Sequence, residues 1–147
     1  MAELAAITAL VVVGVNALAG AYGGLRWWRV EPSRTFWVLA RAGQGAAVAL
    51  ALVAGVLALA GFRPDAGLFW LYALLPVAVA FVAEQFRVTA AQTVLDARDL
   101  EDARAVGRLD EAGQRSVVLA IVRREIGVIA LAALVAAFLA LRAYGTV

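Results

Sequence analysis

Four long apolar runs alternate with shorter polar segments along the chain. A helix crosses a hydrocarbon core of about 30 Å with roughly twenty residues, and each run comes close to that length. The runs predict transmembrane helices over residues 4–25, 36–62, 68–88 and 124–143. The pattern therefore indicates an all-α membrane protein, a single domain over residues 1–147, with four transmembrane helices in an antiparallel bundle.

The third helix is expected to continue out of the bilayer. Only sixteen residues, Leu68 to Ala83, precede Glu84 in this helix, fewer than the roughly twenty that a span needs, so Glu84 should lie inside the edge of the core. Apolar residues then recur at helical spacing among charges as far as Val106, and residues 117–122 offer a matching apolar patch. We therefore predict that the third and fourth helices extend into a cytoplasmic helical hairpin over residues 89–123, with the third helix unbroken to Val106.

The composition supports a membrane protein and limits the kinds of functional site that the chain can form. Hydrophobic residues make up 65 % of the chain, above the roughly 45–50 % of soluble domains. The chain has neither Cys nor His, which excludes disulfides, thiolate nucleophiles and the usual zinc and copper sites. A net charge of +2 gives no indication of a nucleic-acid partner. We expect no cofactor and no metal site, and the lipid bilayer is the first partner.

The arginines predict the orientation of the chain. Ten of the thirteen basic residues fall in the segments 26–34 and 87–124, whereas the opposite side has only Arg63 and Arg142. Cytoplasmic loops of membrane proteins carry such an excess. Both termini are therefore predicted to lie outside the cytoplasm, with the protein in a plasma or inner membrane.

Small residues recur every four positions on the first two predicted helices. Small side chains let membrane helices approach closely, either within one chain or between copies of a homo-oligomer. The expected packing seams comprise Gly20 and Gly24 on the first helix and Gly43, Ala47, Ala51 and Gly55 on the second.

A polar group lies within the predicted spans, mostly near the cytoplasmic face. Its members are Asn16, Arg41, Gln44, Glu84, Gln85, Arg87, Arg124 and Glu125. Charges in a membrane span usually pair with one another or line a wet cavity. One interpretation is an ion pair between Arg41 and Glu84 that sets the helix register, and the other is the vestibule of a permeation path.

The acidic residues of segment 96–111 suggest a cation site at first sight. Their spacing distributes them around a helix, and Arg98 and Arg104 neutralise them locally, so a solvated face is favoured over a calcium site.

Three function hypotheses follow. The first is an oligomeric channel or transporter with a cytoplasmic-side cluster of Arg41, Glu84 and Arg87. The second is a non-catalytic scaffold or accessory subunit that binds a cytoplasmic protein through the helical hairpin, and the third is a binder of lipid or another hydrophobic ligand. No nucleophile–base pair or phosphate-binding loop is visible, so no enzyme and no catalytic residue are expected. No motif identifies a family.

Overall fold

A computed structural model describes all residues of the chain, 1–147, and every regular element in it is a helix. The six helices are α1 (Ala2–Arg29), α2 (Arg34–Leu59), α3 (Leu68–Val88), α4 (Ala90–Asp96), α5 (Ala103–Gly107) and α6 (Glu111–Tyr144). Four of them, α1, α2, α3 and α6, are long and apolar enough to cross a membrane. The prediction of an all-α protein with four helices of membrane-spanning length is confirmed.

The four long helices form a closed ring in the order α1, α2, α3, α6. Helix α6 contacts α1 and α3 extensively, and α2 packs between α1 and α3, while α2 and α6 touch much less. Helices α2 and α6 are therefore diagonal neighbours. This placement decides which polar side chains can meet.

Two apolar clusters fill the ring, one toward each end. The first joins Ala5, Leu57, Phe69 and Ala143, which come from the start or the end of the four long helices. Most of its other members are alanines, whose small side chains permit close approach of membrane helices. The second cluster contains Phe36, Ala40, Ala83 and Ile126 and lies toward the opposite end. We call this second end the arginine-rich end, because the segments 26–34 and 87–124 lie there.

The sequence offers a candidate N-cap residue at three helix starts, Ser33 or Thr35, Asp65 and Asp110, and the capping bond forms at two of them. The Ser33 hydroxyl accepts a hydrogen bond from the Phe36 amide at 3.2 Å, and the Asp110 carboxylate accepts one from Gly113 at 2.8 Å. Such bonds satisfy amides that the first helical turn leaves free. The expected cap of α3, Asp65, is wrong, because Gly67 holds the cap position without a side-chain bond.

Helix α1 continues four residues beyond the predicted end, to Arg29, so the first connection is only residues 30–33. Val30 ends the helix in the left-handed region, with φ 53°. Arg26 holds the turn together, since its guanidinium donates to the Tyr22 hydroxyl and pairs with Glu31. The Tyr22 hydroxyl is also hydrogen-bonded to Ser33, 3.2 Å away. Polar side-chain contacts therefore order this turn.

The third helix does not run unbroken to Val106, because α3 ends at Val88. The Thr89 hydroxyl donates to the carbonyl oxygens of Gln85 and Phe86, each at 3.2 Å. A threonine that bonds back in this way competes with the helical amide bonds and disturbs the helix. The short helix α4 follows and ends at Asp96, before Asp99 adopts φ 54°.

Residues 89–110, which we call the polar segment, fold against the first part of α6. Val94, Leu95 and Val117 form a small apolar core there, with Leu100 and Val106 packed against it. The Asp102 carboxylate caps α5 by accepting from the Ala105 amide at 2.8 Å. Acids that were expected to lie on a continuous charged helix face therefore serve as turn and cap residues. Helix α6 itself is continuous over 34 residues.

Candidate functional site

The Glu84 carboxylate is the centre of a hydrogen-bonded network between α2 and α3. Its Oε1 accepts from Arg41 Nη1 at 2.7 Å and from Gln44 Nε2 at 2.8 Å. Its Oε2 accepts from Arg87 Nε at 2.7 Å and from Arg41 Nη2 at 3.5 Å. Both carboxylate oxygens are therefore fully engaged by donors. We call Arg41, Gln44, Glu84 and Arg87 the Glu84 cluster.

Helical spacing aligns the four side chains. Arg41 and Gln44 are three residues apart on α2, and Arg41 Nη1 donates to Gln44 Oε1 at 2.6 Å. Glu84 and Arg87 are likewise three apart on α3 and form an ion pair. Residues at this spacing share one face of a helix. Two adjacent helices thus present two polar residues each to the same place.

Trp37 packs against the Glu84 cluster and was not among the residues predicted for it. The guanidinium carbon of Arg87 lies 5.7 Å from the centroid of the Trp37 ring, a cation–π distance. Trp37 is four residues before Arg41, one turn away on the same face of α2. The sequence signal that could have identified Trp37 was its position one helical turn before Arg41.

The cluster carries one positive charge in excess, because two guanidinium groups face one carboxylate. The Arg41 side chain is 52 % exposed, whereas the side chains of Glu84 and Arg87 are 22 % and 28 % exposed. Arginine has five N–H donors, and the Nη groups of Arg87 make no hydrogen bond to the protein. The cluster therefore keeps a net positive charge and unused N–H donors.

Four of the polar residues singled out in the sequence lie outside this network, Asn16 of α1 and three others. Gln85, Arg124 and Glu125 make no side-chain hydrogen bond or ion pair to its members. Gln85 is one position beyond Glu84 and so points away around α3. Arg124 and Glu125 belong to α6, which lies diagonally opposite α2.

Asn16 is buried and locks α1 to α2. Its Nδ2 donates to the carbonyl oxygens of Val12 at 3.0 Å and of Gly43 at 3.1 Å. A Cβ on Gly43 would approach Asn16 Oδ1 to 2.6 Å, so the close contact requires glycine. This bond between helices satisfies a buried amide group that would otherwise be costly in the core.

The ring encloses little internal space beside these polar residues. A cavity of about 10 Å³ is lined by Asn16 and Gln44 among mostly apolar residues that include Pro76. Such a volume is about what one water molecule needs. This cavity is too small to conduct a hydrated ion through the protomer.

The small-residue seams differ in detail from those expected. Gly20 is buried, and a Cβ there would approach Leu134 Cδ2 to 2.5 Å, whereas a Cβ on Gly24 would meet no atom within 4 Å. Gly23 takes the place of Gly24 at the contact, beside Phe36 and Ala130. On α2 the contact face contains Gly43 and Ala47 and then turns to Leu50 and Ala54, which leaves Ala51 half-buried and Gly55 exposed. A spacing of four drifts off a helix face, because a helix has 3.6 residues per turn.

Comparisons with protein families, with curated proteins and with solved structures find no match to this chain. The chemistry of the Glu84 cluster and the faces of the long helices are therefore the basis for proposing a function.

Proposed function

We propose that the protein is an oligomeric membrane channel or transporter in which the Glu84 cluster lies at the cytoplasmic entrance of the pathway. The observation that carries the proposal is the half-exposed side chain of Arg41. Arg41 lies seven residues beyond the start of α2, about 10 Å along the helix axis. A charge at that depth on a membrane helix is costly in contact with lipid tails alone, so the part of the Arg41 side chain that its pair with Glu84 leaves exposed supports a wet or protein-lined neighbour.

The proposed pathway lies between protomers rather than within one. The enclosed cavity of a protomer holds about one water molecule, so the ring itself supplies no conduit. Helix α2 turns Arg41, Gly45 and Leu52 toward the outside, and a Cβ at Gly45 would meet no atom within 4 Å. We propose that copies of the antiparallel bundle assemble through this exposed face, which brings their Arg41 side chains around a shared wet path.

The excess charge of the cluster favours anions as the substrate class. Two arginines outweigh one carboxylate, and rings of arginine or lysine side chains select anions in known pores. Chloride is the simplest probe of this charge preference. The proposal assigns no catalytic activity.

Flux measurements test the transport proposal. In liposomes that contain purified protein, we expect chloride flux to exceed potassium flux. Arg41→Gln should lower the chloride flux about tenfold, since one charge about 4 Å from an ion in water is worth about 1 kcal/mol and more near protein. Arg104→Gln, which removes an exposed charge from α5, is the matched control and should leave the flux unchanged.

Absence of flux with folded wild-type protein would contradict transport. Retained chloride selectivity in folded Arg41→Gln would instead remove Arg41 from the pathway. Size-exclusion elution of each variant establishes that the protein remains folded and assembled.

Labelling tests the proposed orientation. Single cysteines at Glu101 and Asp65 of this Cys-free chain lie on exposed residues of the polar segment and of the α2–α3 connection. We expect a membrane-impermeant thiol reagent to label position 65 in intact cells and position 101 only after the membrane is opened, because the arginine excess retains the polar segment in the cytoplasm. Labelling of both positions in intact cells would contradict the four-span orientation.

A second candidate function is a membrane scaffold that binds a protein through the polar segment. Helices α4 and α5 fold onto α6 around Leu95 and Val117, and their acids and arginines remain exposed. Such an ordered charged surface is suited to a partner of complementary charge pattern. In that case flux is absent, and deletion of residues 97–109 abolishes partner capture while membrane insertion persists.

A further inference from the structure

An apolar groove runs along the outer surface between α3 and α6. Every residue that lines it is hydrophobic, including Val82 and Phe86 of α3 and Val128, Leu131 and Val135 of α6, and its volume is about 410 Å³. The groove lies on two helices of membrane-spanning length. Its occupant must therefore be apolar along the whole groove.

No other part of the chain covers this groove. Phe86 is 60 % exposed and Leu131 is 64 % exposed. The exposed α2 face that we propose for assembly takes no part in the groove, because α2 lies diagonally across the ring from α6. The groove is therefore available when protomers assemble through α2.

A positive charge lies at the arginine-rich end of the groove. Arg124 precedes Val128 by one helical turn and so lies on the same face of α6 as Val128, Leu131 and Val135. The Arg124 side chain is exposed and has no carboxylate within ion-pair distance. Its neighbour Arg123 is engaged differently, with its guanidinium carbon 4.6 Å from the Trp27 ring centroid.

We infer that the groove binds an acyl chain of an anionic phospholipid and that Arg124 binds the lipid phosphate. An acyl chain matches a groove without polar lining, and a phosphate supplies the counter-charge that Arg124 lacks. Guanidinium groups form strong, charge-assisted hydrogen bonds with phosphate. Along α6, Arg124 comes first and the groove follows. A phospholipid has the same order, with the phosphate first and the acyl chain after it. This inference does not depend on the transport proposal.

Lipid retention in native mass spectrometry tests the inference. The protein is released from bilayers of equal phosphatidylglycerol and phosphatidylcholine with identical acyl chains. We expect one retained phospholipid per protomer and a preference of about tenfold for phosphatidylglycerol, because the choline cation of phosphatidylcholine cancels the charge of its phosphate and so weakens the contact with Arg124. Arg124→Gln should abolish the preference while a phospholipid is still retained. Val82→Trp should fill the groove and remove the bound lipid of either class.

Matched controls separate the site from general surface effects. Arg115→Gln removes an exposed arginine from the same helix, and Leu18→Trp adds the same ring to an exposed position of α1, so both should retain the wild-type lipid preference. Equal retention of the two lipids by the wild-type protein overturns the anionic phospholipid as the occupant, and an unchanged preference in Arg124→Gln overturns the assignment of Arg124. If Val82→Trp instead releases a second copy of the protein, the groove is occupied by protein, and the lipid is overturned as its occupant.

Discussion

Gly23→Ala is expected to destabilise the protein by about 1–3 kcal/mol or more, the usual cost of inserting a carbon into a packed core. A Cβ at this position would lie directly against Cε2 of Phe36 and 2.7 Å from Cβ of Ala130. The Phe36 side chain has no exposed surface and Ala130 is 3 % exposed. Neither neighbour can therefore move aside without displacing α2 or α6.

Gly24 supplies a matched control one residue further along α1. A Cβ there would meet no atom within 4 Å, so Gly24→Ala should be neutral or should stabilise the helix by up to about 1 kcal/mol. Denaturant titration of both variants in detergent micelles, followed by helical circular dichroism, measures the difference. Equal stability of the two variants would contradict the packing of Gly23 between Phe36 and Ala130.

Glu84→Gln is expected to cost about 2–4 kcal/mol of stability, because it leaves two arginines without their counter-charge. The three partners Arg41, Gln44 and Arg87 all donate to the carboxylate. The amide group of a glutamine would direct one NH₂ at these donors. The half-exposed position of Arg41 lets its guanidinium move toward water, which limits the loss.

A double-mutant cycle with Arg41→Gln measures the coupling of the pair. We expect the double variant to recover part of the loss, with a coupling energy above about 1 kcal/mol. Glu111→Gln removes an exposed carboxylate at the start of α6 and controls for the change of net charge. Additive effects of the two substitutions would show that Arg41 and Glu84 do not interact.

The cycle also distinguishes a structural pair from a pathway. If each single variant is destabilised and the residual folded protein conducts normally, the pair serves only to hold α2 against α3. If each variant retains its stability and loses chloride flux, Glu84 and Arg41 act on the permeating ion. The second outcome supports the transport proposal.

The sequence by itself determined the number of long helices and several of their ends. Length and apolar content are local properties, so four runs of membrane-spanning length are visible without tertiary information. Ser33 and Asp110 were identifiable as caps because the capping bond joins residues three apart. Counting residues from the membrane edge also suggested that Arg41 and Glu84 lie at one depth, and the structure places them in contact.

Only the tertiary structure decided which faces of the helices meet. A membrane helix is apolar on all sides, so its pattern does not distinguish the face that packs on a neighbour from the face that contacts lipid. For this reason Gly23 could not be separated from Gly24, and Arg124 could not be excluded from the Glu84 cluster. The ring order, with α6 diagonal to α2, separates Arg124 from Arg41. The fold of the residues beyond Thr89 likewise depended on tertiary packing, because the short helix α4 is stabilised by its contact with α6 around Val117.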